Sequence, residues 1–218
     1  MAPYNPDTIP FDQWASRGAL AFLPWTEHTP TPTNDPSNVT LPTPYVVLIL
    51  GASRGIGAHI AHAYTRAGAS GLVLAARRTS GLQTTAATCR EIDANVEVES
   101  VECDITDAGS VEKLAEAAWR RFGRLDVVVV NSGVAGPVAA TVTEDDLEMV
   151  KVDMDVNYAG TFYAAKHLVP LLLRTEGGAK AFVGINTGAC EFACYEKDGC
   201  FRSLTMKRTS PYRPRADL

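Results

Sequence analysis

From Tyr45 onward the apolar residues gather into short unbroken runs, each followed by a stretch in which they recur every three to four positions. Tyr45–Leu50 (YVVLIL), Gly71–Ala76 (GLVLAA), Val96–Val101, Leu125–Val130 (LDVVVV) and Lys180–Ile185 are the runs. Runs of that length suit strands buried on both faces. Between them the period is helical. The first helix sets Ile56, Ile60, Ala63 and Ala67 on one face, and a second runs to about Ala94. A third follows Asp107, with Val111, Leu114, Ala115, Ala118 and Phe122 in register. Further helical segments fall near 143–151 and 153–175, where Pro170 should kink the helix without ending it. Strands alternating with helices at this spacing pair in parallel through right-handed crossovers, so the pattern predicts a single α/β domain with a doubly wound parallel sheet. Ligands of such sheets bind outside the carboxyl ends of the strands, so the residues just after each strand matter most.

The flanks differ in texture. Residues 1–44 hold most of the thirteen prolines and read as an extended arm, in which FDQWASRGALAFLPW could pack a helical turn against the domain. Residues 1–189 carry 14 Lys+Arg against 21 Asp+Glu, whereas residues 190–218 carry 6 against 4 and show no period. This predicts three parts: an arm at 1–44, a domain at 45–189 and an atypical tail at 190–218.

Net charge is −5 and 46% of residues are apolar, enough for one sizeable core and without a basic stripe for nucleic acid. No window approaches the roughly 20 apolar residues of a membrane span, and the start lacks the basic and apolar regions of a secretory leader. Asn38-Val39-Thr40 is then a chance sequon. Five cysteines without framework spacing suit reduced thiols in a cytoplasmic protein. Cys190, Cys194 and Cys200 fit no zinc spacing, and His59 and His62 read as surface residues, so no metal site is expected.

Candidate chemistry follows the strands. After the first comes Gly51-Ala52-Ser53-Arg54-Gly55-Ile56-Gly57, where glycines permit a tight turn and close backbone approach to a pyrophosphate at a helix N-terminus. After the second, a site selecting NAD would place a carboxylate against the ribose. Here Arg77 and Arg78 stand instead, and Arg54 lies nearby. Guanidinium without carboxylate predicts NADP(H) over NAD(H), the alternative being that both arginines are solvated loop residues. Asp104, after the third strand, can accept from an adenine amino group or can cap the following helix. After the fourth, Asn131 can bridge strands and Gly133 lets backbone approach a ribose.

Together these residues resemble the short-chain dehydrogenase/reductase family. Gly51, Gly55 and Gly57 match its glycine motif, Asp104 its adenine contact and Asn131-Ser132-Gly133 its strand-end segment, while Asp155–Gly160 (DVNYAG) is similar to its helix bearing an active-site asparagine. The likeness runs from Tyr45 to about Ala189. It implies a Rossmann-like fold, self-association through the helix near 155–175, a small-molecule carbonyl or alcohol substrate, and catalysis by Asn157, Thr187 and Tyr195. Thr187 stands where the family has serine. The family also places a lysine four residues after its tyrosine, to stabilise phenolate. Gly199 is there in this chain, and Lys197 lies only two residues from Tyr195. No tyrosine of the chain has lysine at that spacing. Two readings therefore stand: a reductase that is truncated or divergent after residue 189, with an incomplete family fold, or a dinucleotide-binding remnant without turnover.

Overall fold

The computed structural model describes residues 32, 35–134 and 147–185 of the chain, all within one compact unit. Its elements are β1 (Val46–Leu50), α1 (Gly55–Arg66), β2 (Gly71–Ala76), α2 (Thr79–Ile92), β3 (Glu97–Glu102), α3 (Ala108–Phe122), β4 (Val127–Val130), α4 (Leu147–Asp153), α5 (Gly160–Arg174) and β5 (Ala181–Gly184). A π-helical stretch, Met154–Ala159, joins α4 to α5. The five strands pair in parallel in the order β3-β2-β1-β4-β5, the Rossmann-like arrangement.

The strand runs sit where the pattern predicts. β1, β2 and β4 are buried along their whole length because helices cover both faces. Alternate residues serve the two layers. Val46, Leu48 and Leu50 pack with Val111 and Leu114 of α3 and Leu168 of α5. Tyr45, Val47 and Ile49 pack with Ala61 of α1 and Leu82 of α2. β3 (EVESVE), by contrast, lies at a sheet edge with its glutamates at the surface. Pro170 sits inside α5, which runs on to Arg174.

Two expectations need correction. The buried face of α1 is Gly57, Ala61 and Thr65, and Ile56 is 61% exposed. At Gly57 the helix lies too close to the β1 turn for any side chain, and Ile56 beside it is left at the cleft, while Ile60 and Tyr64 pack half-buried against the core. His62 is not a plain surface residue either: its Nε2 is buried without a hydrogen-bond partner, and its ring meets His59 edge-on at 5.9 Å. Burial first, then the charges of His59 and Arg66, hold its pKa below the ordinary 6.5. The unfolded chain therefore binds a proton that the folded one resists, and stability falls as pH drops below 6.5. Replacing His62 with Gln is expected to flatten that acid-side slope in chemical denaturation at a series of pH values. An unchanged slope would assign it to other groups.

The ends of α3 follow its caps. Asp107 accepts from the Gly109 N–H at 2.9 Å and so opens α3, which closes on Gly123 at φ 64°. Asp104 is thus not the cap of this helix.

Candidate functional site

The glycine turn is built from two left-handed residues and one close approach. Gly51 (φ +83°) donates to the Ala75 carbonyl at 2.7 Å, folding the chain back across the carboxyl end of β2. A Cβ on Gly57 would lie 2.2 Å from the Gly51 carbonyl oxygen, so α1 can start against the turn only with glycine there. Gly55 (φ +58°) has open space where a Cβ would be. That opening faces a cleft of about 460 Å³ at the carboxyl ends of the strands.

Other elements press on the turn from both sides. Thr85 of α2 donates its hydroxyl to the Ala52 carbonyl at 3.0 Å, and a Cβ on Gly81 would meet the Ser53 carbonyl at 2.6 Å. From β4, Asn131 Nδ2 donates to the Gly51 carbonyl at 3.1 Å, the strand bridge expected of it. The two loops so pinned form opposite walls of one groove.

Nine of the ten residues expected to hold a cofactor line this cleft: Gly51, Ser53, Arg54, Gly55, Ile56, Arg77, Asp104, Asn131 and Gly133. Gly57 is the tenth, buried behind the turn it makes possible. Arg78, weighed beside Arg77, also lines it, as do Cys103, Ile105, Ser132, Val134 and Val156, which were not singled out as ligand residues. Their signal was the rule already used, a position just past a strand; the exception is Val156, from the π-helical stretch.

Charge in the cleft is uneven. Arg54, Arg77 and Arg78 are exposed in its lining, and Asp104 is the one carboxylate among the described lining residues. Asp104 Oδ1 accepts from the Thr106 amide at 3.0 Å and from its hydroxyl at 2.8 Å, while the Asp104 N–H donates to Ser110 Oγ. The carboxylate is thereby held at the cleft wall. Cys103 is buried beside it; burial pushes its thiol pKa up against the hydrogen bond from Ser110, so it stays a thiol at neutral pH.

Asn157 lies in the π-helical stretch with its side chain on the β4 loop. Its Oδ1 accepts from the Val134 N–H at 3.0 Å and its Nδ2 donates to the Val134 carbonyl at 2.9 Å. Thr187 and Tyr195 lie outside the described residues, as do the segment at 11–25, expected to pack a helical turn, and the three cysteines of the tail. Among the described residues no group of three His, Cys, Asp or Glu could hold a metal ion, and no helix is long and apolar enough to cross a membrane.

The open glycine and the helix start behind it suit the pyrophosphate of a dinucleotide, since backbone can approach a ligand where a Cβ would otherwise stand. Comparison with known proteins bears on the same segment. A family model described as short chain dehydrogenase matches residues 45–196, a range that includes Tyr195. The short chain dehydrogenase pgmD of Aspergillus terreus is 36% identical over 182 residues, 79% of this chain and 58% of that protein. A short-chain type dehydrogenase/reductase from Mycobacterium ulcerans superposes with a TM-score of 0.64 at 25% identity, covering 71% of this chain and 55% of the other. An alcohol dehydrogenase from Thermococcus sibiricus, solved with 5-hydroxy-NADP, gives a TM-score of 0.54 at 34% identity over 60% of this chain and 54% of its own. The chain thus spans little more than half the length of these relatives.

Proposed function

The chain belongs to the short-chain dehydrogenase family, and from that premise we propose that it is an NADP(H)-dependent oxidoreductase, reducing a carbonyl or oxidising a secondary alcohol by hydride transfer. One observation carries the cofactor half of this reading. Three guanidinium groups line the cleft beside the open glycine, and no carboxylate follows β2. The likeness to a dehydrogenase solved with an NADP derivative supports the same choice.

The amides at the start of α1 and the turn around Gly51 and Gly55 hold the pyrophosphate. Arg54, Arg77 and Arg78 hold the ribose phosphate, and Asp104 accepts from the adenine amino group. Asn131 and Gly133 form the wall against the second ribose. When bound, the nicotinamide supplies or accepts the hydride. The chain's own part is proton transfer: Tyr195 gives its phenolic proton to the carbonyl oxygen, which Thr187 steadies by a hydrogen bond. A phenol of pKa near 10 donates readily at neutral pH, but its reverse role as a base needs a nearby cation, which Lys197 is to supply. Asn157 serves by holding the Val134 segment of the cleft.

Arg77→Gln is expected to weaken NADPH binding roughly tenfold and NADH binding less than about twofold, as for one partly solvated charge-assisted pair. Equal affinity of the wild type for both cofactors, by fluorescence titration, would sink the NADP preference. Turnover with a panel of carbonyls, abolished by Tyr195→Phe, tests the enzyme reading.

A second reading has its own observation. With no Tyr-x3-Lys in these 218 residues, the chain would be a dinucleotide-binding protein without turnover. Tight NADPH binding with no activity on any carbonyl selects it. Both readings take a cytoplasmic protein, and both take a homo-oligomer formed through the exposed Tyr158 and Phe162. Light scattering on the purified chain tests the latter.

A further inference from the structure

One contact beside the cleft is used by neither reading. The second hydrogen of Asn157 Nδ2 goes to Asp153 Oδ1 at 2.6 Å. Asp153 is the last residue of α4, one turn before Asn157, and the π-helical stretch begins directly after it. We propose that Asp153 is a positioning residue for the cleft: its carboxylate holds the Asn157 amide in place, and that amide holds the Val134 peptide at the rim.

Each atom of the amide has a defined partner. Oδ1 meets an N–H, and the two Nδ2 hydrogens meet a carbonyl and a carboxylate. Turning the amide over would set Nδ2 against the Val134 N–H and Oδ1 between two acceptors, so one orientation is strongly preferred. Asn157 is exposed, however, and water competes for its bonds to Val134. A carboxylate one helical turn away supplies the third, charge-assisted bond that water does not readily displace. The Asn157 carbonyl is engaged as well, accepting from Thr161 Oγ1 at 2.9 Å. Thr161 thus engages the main chain of Asn157, and Asp153 holds the side chain that reaches across to the β4 loop.

The placement decides which half of a ligand would notice. The sheet order puts Arg77, Arg78 and Asp104 after β2 and β3 on one side of the glycine turn, and Val134 after β4 on the other. This inference rests on the dinucleotide reading above. With the ribose phosphate on the arginines, the nicotinamide half extends toward the β4 side, so loss of the clamp weakens that half alone.

The test uses the full chain. NADPH, and the adenosine bisphosphate half of it alone, are titrated into wild type, Asp153→Leu and Asp153→Asn. The leucine variant is expected to bind NADPH about tenfold more weakly while the fragment changes less than about twofold, the size of one charge-assisted bond at a solvated position. Asparagine keeps an acceptor oxygen and recovers most of the loss. Equal weakening of both ligands, or of neither, overturns the assignment. Amide exchange needs no ligand: Val134 exchanging about tenfold faster in the leucine variant, with Val129 of β4 unchanged, supports the clamp, and an unchanged Val134 overturns it. Should the wild type bind neither NADPH nor NADH, the dinucleotide reading fails, and exchange at Val134 decides the clamp by itself.

Discussion

Gly57→Ala is expected to lower stability by about 3 kcal/mol and to remove dinucleotide binding. The added methyl would sit 2.2 Å from the Gly51 carbonyl oxygen, 2.7 Å from Asn131 Nδ2 and 2.9 Å from the Gly51 carbonyl carbon. Two of those three neighbours are backbone, and the third is the side chain that ties β4 to the turn. None is the free end of a flexible chain, so α1 must move away from the turn. Alanine in place of glycine favours a helix by about 1 kcal/mol, which offsets only part of the clash. Once α1 shifts, the amides that face the cleft are misaimed, and the bond from Asn131 to the Gly51 carbonyl is lost. Thermal denaturation reads the first effect and NADPH titration the second. An alanine variant that melts and binds like wild type would mean that the turn is not built as described.

Asp126→Ala should cost about 3–5 kcal/mol, because it strips a buried charge from partners that stay behind. Asp126 has no exposed surface and begins the segment that leads into β4. Its Oδ2 accepts from the Val46 N–H at 2.8 Å and from Arg124 Nε at 2.9 Å, and its Oδ1 accepts from Arg124 Nη2 at 2.6 Å. That fork pushes the Arg124 pKa further up. The main chain of the same residue bonds to the Val46 carbonyl and receives the Ala181 N–H, so one residue meets β1 and β5 together. Arg124 keeps 22% of its side chain in water and can be resolvated, whereas the Val46 N–H cannot. The loss is therefore mostly that of the buried strand end.

The two variants act at opposite ends of the sheet. Asp126 ties the amino ends of the strands, away from the cleft, so an Asp126→Ala protein that remains folded should bind NADPH with wild-type affinity. A weakened affinity in that variant, measured well below its melting temperature, would show that the cleft senses the far end of the sheet. Gly57→Ala, in contrast, should damage both properties at once.

Much of this architecture is legible in local pattern. LDVVVV and YVVLIL announce strands covered on both sides, and the helical spacing of Val111, Leu114, Ala115 and Ala118 fixes which face of α3 is buried. The cleft residues could be found because a parallel sheet brings every strand's carboxyl end to one side, so a rule about position stood in for a map of contacts. Pattern failed where packing distance decides. Ile56 looks like a core residue by period, yet α1 starts so near the turn that only glycine fits at position 57, and Ile56 is left exposed at the cleft. Asp104 could have capped α3 as far as the sequence shows, and only the bond from the Gly109 N–H assigns the cap to Asp107 instead. Asp153 carried no signal at all, since its partner's partner is a peptide on another element.

The sequence by itself determined the strands, the helices, their parallel pairing and the class of ligand that the strand ends invite. These depend on which neighbours along the chain are apolar, cationic or lacking a side chain, and such properties act within a few residues. Only the tertiary structure decided how closely the turn, helix and loops approach. Asn131 reaches Gly51, and Asp126 reaches Val46, across 80 residues in each case. Bonds of that span are selected by the packing of the whole sheet, whose distances to tenths of an ångström no local period encodes.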